Sequence, residues 1–148
     1  MVNVKGRWAL ITGAARGIGR GAAICMAEQG CNLILQGRTK EHCAAVLEEG
    51  KARGVEAYAV GAEFSDLSAV EAMLQEIDAL GADVDIILNN AGIQVAYRSD
   101  YLQTPASDYE QSFRINTIAP MMILYHFLPK MEARGFVIID AQGHATFT

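Results

Sequence analysis

Trp8-Ala9-Leu10-Ile11-Thr12-Gly13-Ala14-Ala15-Arg16-Gly17-Ile18-Gly19 is the stretch on which the fold turns. The apolar run Trp8–Ile11 reads as a buried strand, carried to its end by Thr12. Gly13, Gly17 and Gly19 punctuate the turn, and a helical pattern is under way by Arg20. Glycines allow positive φ and let a ligand approach the backbone. The helix start adds free N–H groups and the positive dipole end, which favour an anion. A strand, a glycine turn and a helix in this order predict a phosphate cradle.

Working outward, strands and helices alternate. A helix over Gly17–Gln29, with Ile18, Ala22, Cys25 and Met26 inward, stops at Gly30. Asn32–Gln36 is the second strand, Thr39–Arg53 the second helix, closed by Gly54, and Glu56–Val60 the third strand. Ser65 or Asp66 caps a third helix bearing Val70, Met73, Leu74 and Ile77 at spacings of three and four. Val84–Leu88 is the fourth strand and ends in Asn89-Asn90-Ala91-Gly92. After a polar loop, Ser107 and Glu110 have capping-box spacing and open a long helical stretch, Asp108–Arg134, in which Pro120 and Pro129 mark irregularities. Its apolar residues wrap more than one face, which implies burial on two sides. Phe136–Ile139 is the fifth strand.

Near-continuous apolar strands alternating with helices predict an α/β fold, a doubly wound parallel sheet covered on both faces. Right-handed crossovers give the strand order 3-2-1-4-5. Ligands in such a sheet bind outside the carboxyl ends of the strands, where the order reverses. Thr12-Gly13 and Asn89–Gly92 are the ends of those two strands, so they face each other across the expected crevice.

The chain has 148 residues, enough for one domain. A net charge of −5 without a basic stripe argues against nucleic acid as partner. No apolar run reaches membrane-span length, and no leader is evident. Cys25, Cys31 and Cys43 lack metal-ligand spacing, so no metal is expected. An odd count of half-buried thiols suits a reducing compartment, and a cytoplasmic location is the expectation.

The chain resembles the short-chain dehydrogenase/reductase family, of the classical type. Thr12 to Gly19 matches the family's TGxxxGxG loop, Asn89 to Gly92 its NNAG motif, and Asn116 the asparagine of its fourth helix; the likeness runs from about Lys5 to Ile139. It implies a Rossmann-like NAD(P)-binding domain. Residues 1–148 read as that single domain, incomplete and without its C-terminal strands. The resemblance further implies hydride transfer between a nicotinamide and a small carbonyl or alcohol substrate. Carried over motif by motif, the cofactor-binding residues are Gly13, Ala15, Arg16, Gly17, Ile18, Gly19, Glu63, Phe64, Asn90, Ala91 and Gly92. Asn116 is the catalytic residue, interrupting its helix and holding a water in the proton relay.

Cofactor choice rests on charge. A carboxylate after the second strand would bond a ribose 2′-hydroxyl and repel a 2′-phosphate. Gln36-Gly37-Arg38-Thr39 offers no acid there. Arg38, flanked by Arg16, suits a phosphate. NADP(H) is therefore favoured over NAD(H).

The family's serine, tyrosine and lysine are not found. No Tyr-x-x-x-Lys follows the fifth strand, Gln142 stands where the serine is expected, and His144 is an unpartnered histidine. A catalytically inactive cofactor-binding fragment or scaffold is thus the alternative. An apolar fifth strand left at the sheet edge and the apolar long helix together predict a homo-oligomer. The loop from Ile93 to Thr104, with Tyr97, Arg98 and Tyr101, lines the entrance to the pocket but names no substrate.

Overall fold

The computed structural model describes residues 3–96, 98–134, 137–139 and 145–147. Tyr97, Phe136, Gln142 and His144, singled out above, lie outside the described residues. The strands are β1 (Trp8–Ile11), β2 (Asn32–Gly37), β3 (Ala57–Gly61), β4 (Val84–Leu88), β5 (Val137–Ile139) and β6 (Ala145–Phe147). The helices are α1 (Gly17–Glu28), α2 (Ala44–Lys51), α3 (Leu67–Ala79), α4 (Ala106–Phe113) and α5 (Ala119–Glu132).

The sheet has the order β3-β2-β1-β4-β5-β6. The first five are parallel neighbours, as the alternation of strands and helices requires. The sixth strand corrects the expectation of an open fifth strand. Residues 145–147 return antiparallel along β5, pairing Val137 with Phe147 and Ile139 with Ala145.

Strand residues alternate between two cores, because successive side chains leave opposite faces. Leu10, Ile34, Val60 and Ile87 pack on one face with Val70, Met73 and Ile77 of α3 and Ile123, Phe127 and Met131 of α5. Ala9, Ile11, Leu33, Leu35, Ile86 and Leu88 pack on the other with Ala23 and Ala27 of α1 and Val46 of α2. The inward face of α1 is therefore Gly19, Ala23 and Ala27, small residues that let the helix lie close to the sheet. It is not the Ile18–Ala22–Cys25 face expected from periodicity. Ile18 is 82% exposed and Cys25 is exposed, whereas Cys31 and Cys43 are buried.

Two helices differ from their sequence reading. The second begins as a 3-10 turn, Lys40–Cys43, before α2. The long stretch starts at Ala106 behind Pro105, so Ser107 is not the cap. It breaks into α4, a π turn over Arg114–Ile118, and α5. Pro120 has no N–H to give to the carbonyl four residues back. The wider turn precedes it, and the N–H of Ala119 bonds to the carbonyl of Arg114. Pro129 does not end the helix, which continues to Glu132. Ile115, Ala119, Ile123, Phe127 and Met131 form one buried row, while Tyr109, Phe113 and Tyr125 stand exposed on the other side.

Candidate functional site

The two motifs meet at the carboxyl ends of β1 and β4, where the strand order reverses. Thr12, buried at the end of β1, accepts the N–H groups of Asn90 (3.0 Å) and Ala91 (2.9 Å) at its Oγ1. The same hydroxyl donates to the Leu88 carbonyl at 3.4 Å. In return Asn90 Nδ2 donates to the carbonyls of Thr12 (3.0 Å) and Gly13 (3.2 Å). Backbone groups that the ending strands leave unpaired are thus satisfied by side chains, and the two loops are locked together.

The glycines are dictated by this closeness. A Cβ on Gly19 would lie 2.5 Å from Asn90 Nδ2 and against the Gly13 carbonyl. Gly17 has φ +56° and open space where a Cβ would be. Arg16, at the N-cap of α1, makes no side-chain capping bond, and the first turn holds no acid. The helix start is therefore free of an internal anion and opens onto the cavity described next.

That cavity has a volume of about 630 Å³, in the range of cofactor sites. All the residues expected to contact a cofactor line it except Gly19, which packs beneath it against Gly13 and Asn90. Arg16 and Ile18 come from the glycine turn, Arg38 from the end of β2, Glu63 and Phe64 from beyond β3, and Asn90 to Gly92 from the end of β4. Neither Arg16 nor Arg38 makes an ion pair among the described residues. The other nearby cations are taken: Arg20 holds Glu49 at 2.7 Å and Lys40 pairs with Glu76.

Asn116 lies in the π turn and is not among the residues lining the cavity. Its Oδ1 accepts the Ile93 N–H at 2.9 Å and its Nδ2 donates to the Ile93 carbonyl at 2.8 Å. Nδ2 also donates to Ser112 Oγ at 3.0 Å. The side chain thus clamps the loop that leaves β4, next to Ile93 on the cavity wall.

Five lining residues escaped the sequence reading: Gln36, Gly37, His42, Ala62 and Ile115. Gln36 is buried, its Oε1 accepting the Gly13 N–H at 2.9 Å and its Nε2 donating to the carbonyls of Gly37 and Ala62, each at 2.9 Å. One amide therefore joins the glycine turn to the ends of β2 and β3. The signal for it was a polar amide closing an apolar strand. Periodicity gives no corresponding sign for His42.

Comparison with known proteins agrees with this geometry. The short chain dehydrogenase family profile matches residues 7–142. The chain belongs to the short chain dehydrogenase family. It is 44% identical over 86 residues to the 3-oxoacyl-[acyl-carrier-protein] reductase FabG of Staphylococcus aureus, a match covering 57% of this chain and 35% of that protein. Among solved structures, the 3-oxoacyl (acyl-carrier-protein) reductase of Agrobacterium tumefaciens with NADP bound superposes with a TM-score of 0.83 at 29% identity. That match covers 93% of this chain and 53% of the other. The 3-oxoacyl-[acyl-carrier protein] reductase of Brucella melitensis with bound NAD also gives 0.83, at 27% identity and with the same coverage. The chain therefore spans between a third and just over half the length of these family members.

A nicotinamide dinucleotide is the cofactor that the family implies, and the residues present fit one. The cradle under α1 has glycine where side chains would intrude, its helix start carries no internal anion, and its wall carries two arginines without carboxylate partners. Among the described residues no cluster could hold a metal ion and no helix is long and apolar enough to cross a membrane.

Proposed function

We propose that this chain is the cofactor-binding part of an NADP(H)-dependent short-chain oxidoreductase acting on a small carbonyl or alcohol substrate. The observation that carries the reading is that Arg16 and Arg38 line the same cavity, with Gln36 and Gly37 rather than an acid at the end of β2. A guanidinium beside a 2′-phosphate is a charge-assisted pair, whereas a 2′-hydroxyl gains much less from it. Glu63 shares the cavity, but its Oε1 is turned to the Ser65 N–H at 3.4 Å.

When bound, the nicotinamide supplies or takes up the hydride. The chain's own residues hold and orient the cofactor. The start of α1 and the glycine turn take the pyrophosphate, Arg38 and Arg16 the 2′-phosphate, and Glu63 and Phe64 flank the adenine. Asn90, Ala91 and Gly92 line the ribose. Asn116 fixes the loop at Ile93 and so shapes the inner end of the cavity, where a water of the proton relay would be held. The exposed row Tyr109, Phe113 and Tyr125 supports assembly as a homo-oligomer, and the reading includes a cytoplasmic location.

Thermal unfolding of the purified chain tests the reading. NADP⁺ should raise the midpoint at concentrations where NAD⁺ does not, because only a ligand that binds the folded state stabilises it. Equal shifts with the two dinucleotides, or none with either, overturn the assignment.

A further inference from the structure

Arg38 is followed on the chain by a short turn, Lys40–Cys43, from which His42 reaches the cavity and has no role so far. His42 lines the same cavity as Arg38 and Arg16. The turn that carries it sits hard against the sheet. A Cβ on Gly37 would lie 2.9 Å from the Thr39 carbonyl and 3.2 Å from His42 Cβ. A side chain at residue 37 would push the turn, and His42 with it, away from the end of β2.

The imidazole is also fixed by a bond. Thr39 N–H donates to His42 Nδ1 at 3.3 Å, and Thr39 Oγ1 lies 2.9 Å from the same nitrogen. A backbone N–H can only give a proton, so Nδ1 must be the accepting nitrogen. In the neutral ring the proton then resides on Nε2, which has no hydrogen-bond partner among the described residues. Nδ1 is committed to the cap, and Nε2–H is the donor left over for a ligand. Lys40, the other basic residue of this turn, is withdrawn to Glu76 on α3.

We infer that His42 is a specificity-determining residue, which donates from Nε2 to the 2′-phosphate of NADP(H) alongside Arg38. The inference rests on the NADP(H) reading above. Arg38 supplies the charge. His42 supplies a directed donor from the turn that follows, held in one tautomer by Thr39. A cofactor with a 2′-hydroxyl has no anionic oxygen there to receive it.

Titration calorimetry of NADP⁺ and NAD⁺ against the 148-residue chain and two variants tests this. His42→Asn keeps a short acceptor able to take the Thr39 N–H but loses the outer donor. His42→Ala loses both. Each variant should weaken NADP⁺ by about tenfold or more, the scale of a hydrogen bond to a charged group, and leave NAD⁺ within about twofold. Retained NAD⁺ binding also shows that the variants are folded. If His42→Asn binds NADP⁺ as the parent does, or if both dinucleotides weaken together, His42 only caps the turn and the inference is overturned. If the parent chain itself shows no preference for NADP⁺, or binds neither dinucleotide, the underlying reading fails and the inference falls with it. A parent that prefers NADP⁺, with a preference lost in Arg38→Ala but kept in both His42 variants, leaves the reading standing and overturns the inference alone.

Discussion

Thr12 and Asn90 satisfy each other in both directions. The Asn90 N–H donates to Thr12 Oγ1 and Asn90 Nδ2 donates to the Thr12 carbonyl, each at 3.0 Å. Two parallel strands that never follow each other in sequence are thereby joined where their ladder runs out. Thr12→Val keeps the shape but leaves the Ala91 N–H without an acceptor and the Asn90 N–H with only the Leu88 carbonyl, at 3.0 Å. A buried donor without a partner costs about 1–3 kcal/mol. Chemical denaturation should therefore show a loss of about 1–3 kcal/mol, and Thr12→Ser should recover most of it.

Gly19 is a steric prediction. A Cβ there falls between Asn90 Nδ2 and the Gly13 carbonyl, so Gly19→Ala must part the glycine turn from the end of β4. Overpacking of this kind costs about 1–3 kcal/mol. Thermal unfolding should register that cost, and protection by NADP⁺ should be lost with it. Gly21→Ala, inside α1 where a Cβ meets open space, should raise the midpoint slightly and keep the protection.

The thiols separate by burial. Burial, with the Asp85 carboxylate adding to it, pushes the Cys31 thiol up to about 11, and burial alone pushes Cys43 up to about 11. Only a thiolate attacks an alkylating reagent. At pH 8 iodoacetamide should label exposed Cys25 and spare the other two, and mass spectrometry of the native protein should find one rapid adduct. Fast labelling of Cys31 or Cys43 would contradict the packing of α1 and the Lys40–Cys43 turn on the sheet.

Asp78 links α3 to α5. Its carboxylate lies 2.9 Å from His126 Nε2 and 3.4 Å from Lys130 Nζ. Partial burial raises its pKa, but the bond and charge of His126, with Lys130 beside it, outweigh that and hold it below the usual carboxylate range. A group depressed on folding contributes stability above its unfolded pKa and loses it as pH falls through the folded one. The pair is largely exposed, so the contribution is at most about 1 kcal/mol. Asp78→Asn should be less stable than the parent at pH 7 by that order, and the gap should close as pH falls below about 4.

What the sequence made legible, and what it hid, follows from the range of the forces involved. Strand ends and the glycine turn were readable because apolar runs and glycines act locally, and they fixed the face-to-face placement of Thr12 and Asn90. The inward face of α1 was misread, because periodicity ranks Ile18 above Gly19 for burial, while the sheet accepts only a residue without a Cβ at that contact. Ser107 and Glu110 had the right spacing for a cap, yet Pro105 already fixes the extended entry to α4. The π turn at Asn116 was signalled by a poor helix former followed by Pro120, though no pattern gives its width. The amide at Gln36 stood out as a polar end to an apolar strand but not as a bridge, and His42 gave no sign, since their partners lie in the turns and strand ends around them and depend on how the loops pack.

The most direct measurement is the affinity of NADP⁺ and of NAD⁺ for the chain and for Arg38→Ala, by titration calorimetry at one ionic strength. A guanidinium pairing a phosphate predicts that NADP⁺ binds the parent more tightly, exposed though Arg38 is. Arg38→Ala should weaken NADP⁺ by about tenfold or more and leave NAD⁺ within about twofold. Equal weakening of both dinucleotides, or no change in either, would contradict the account.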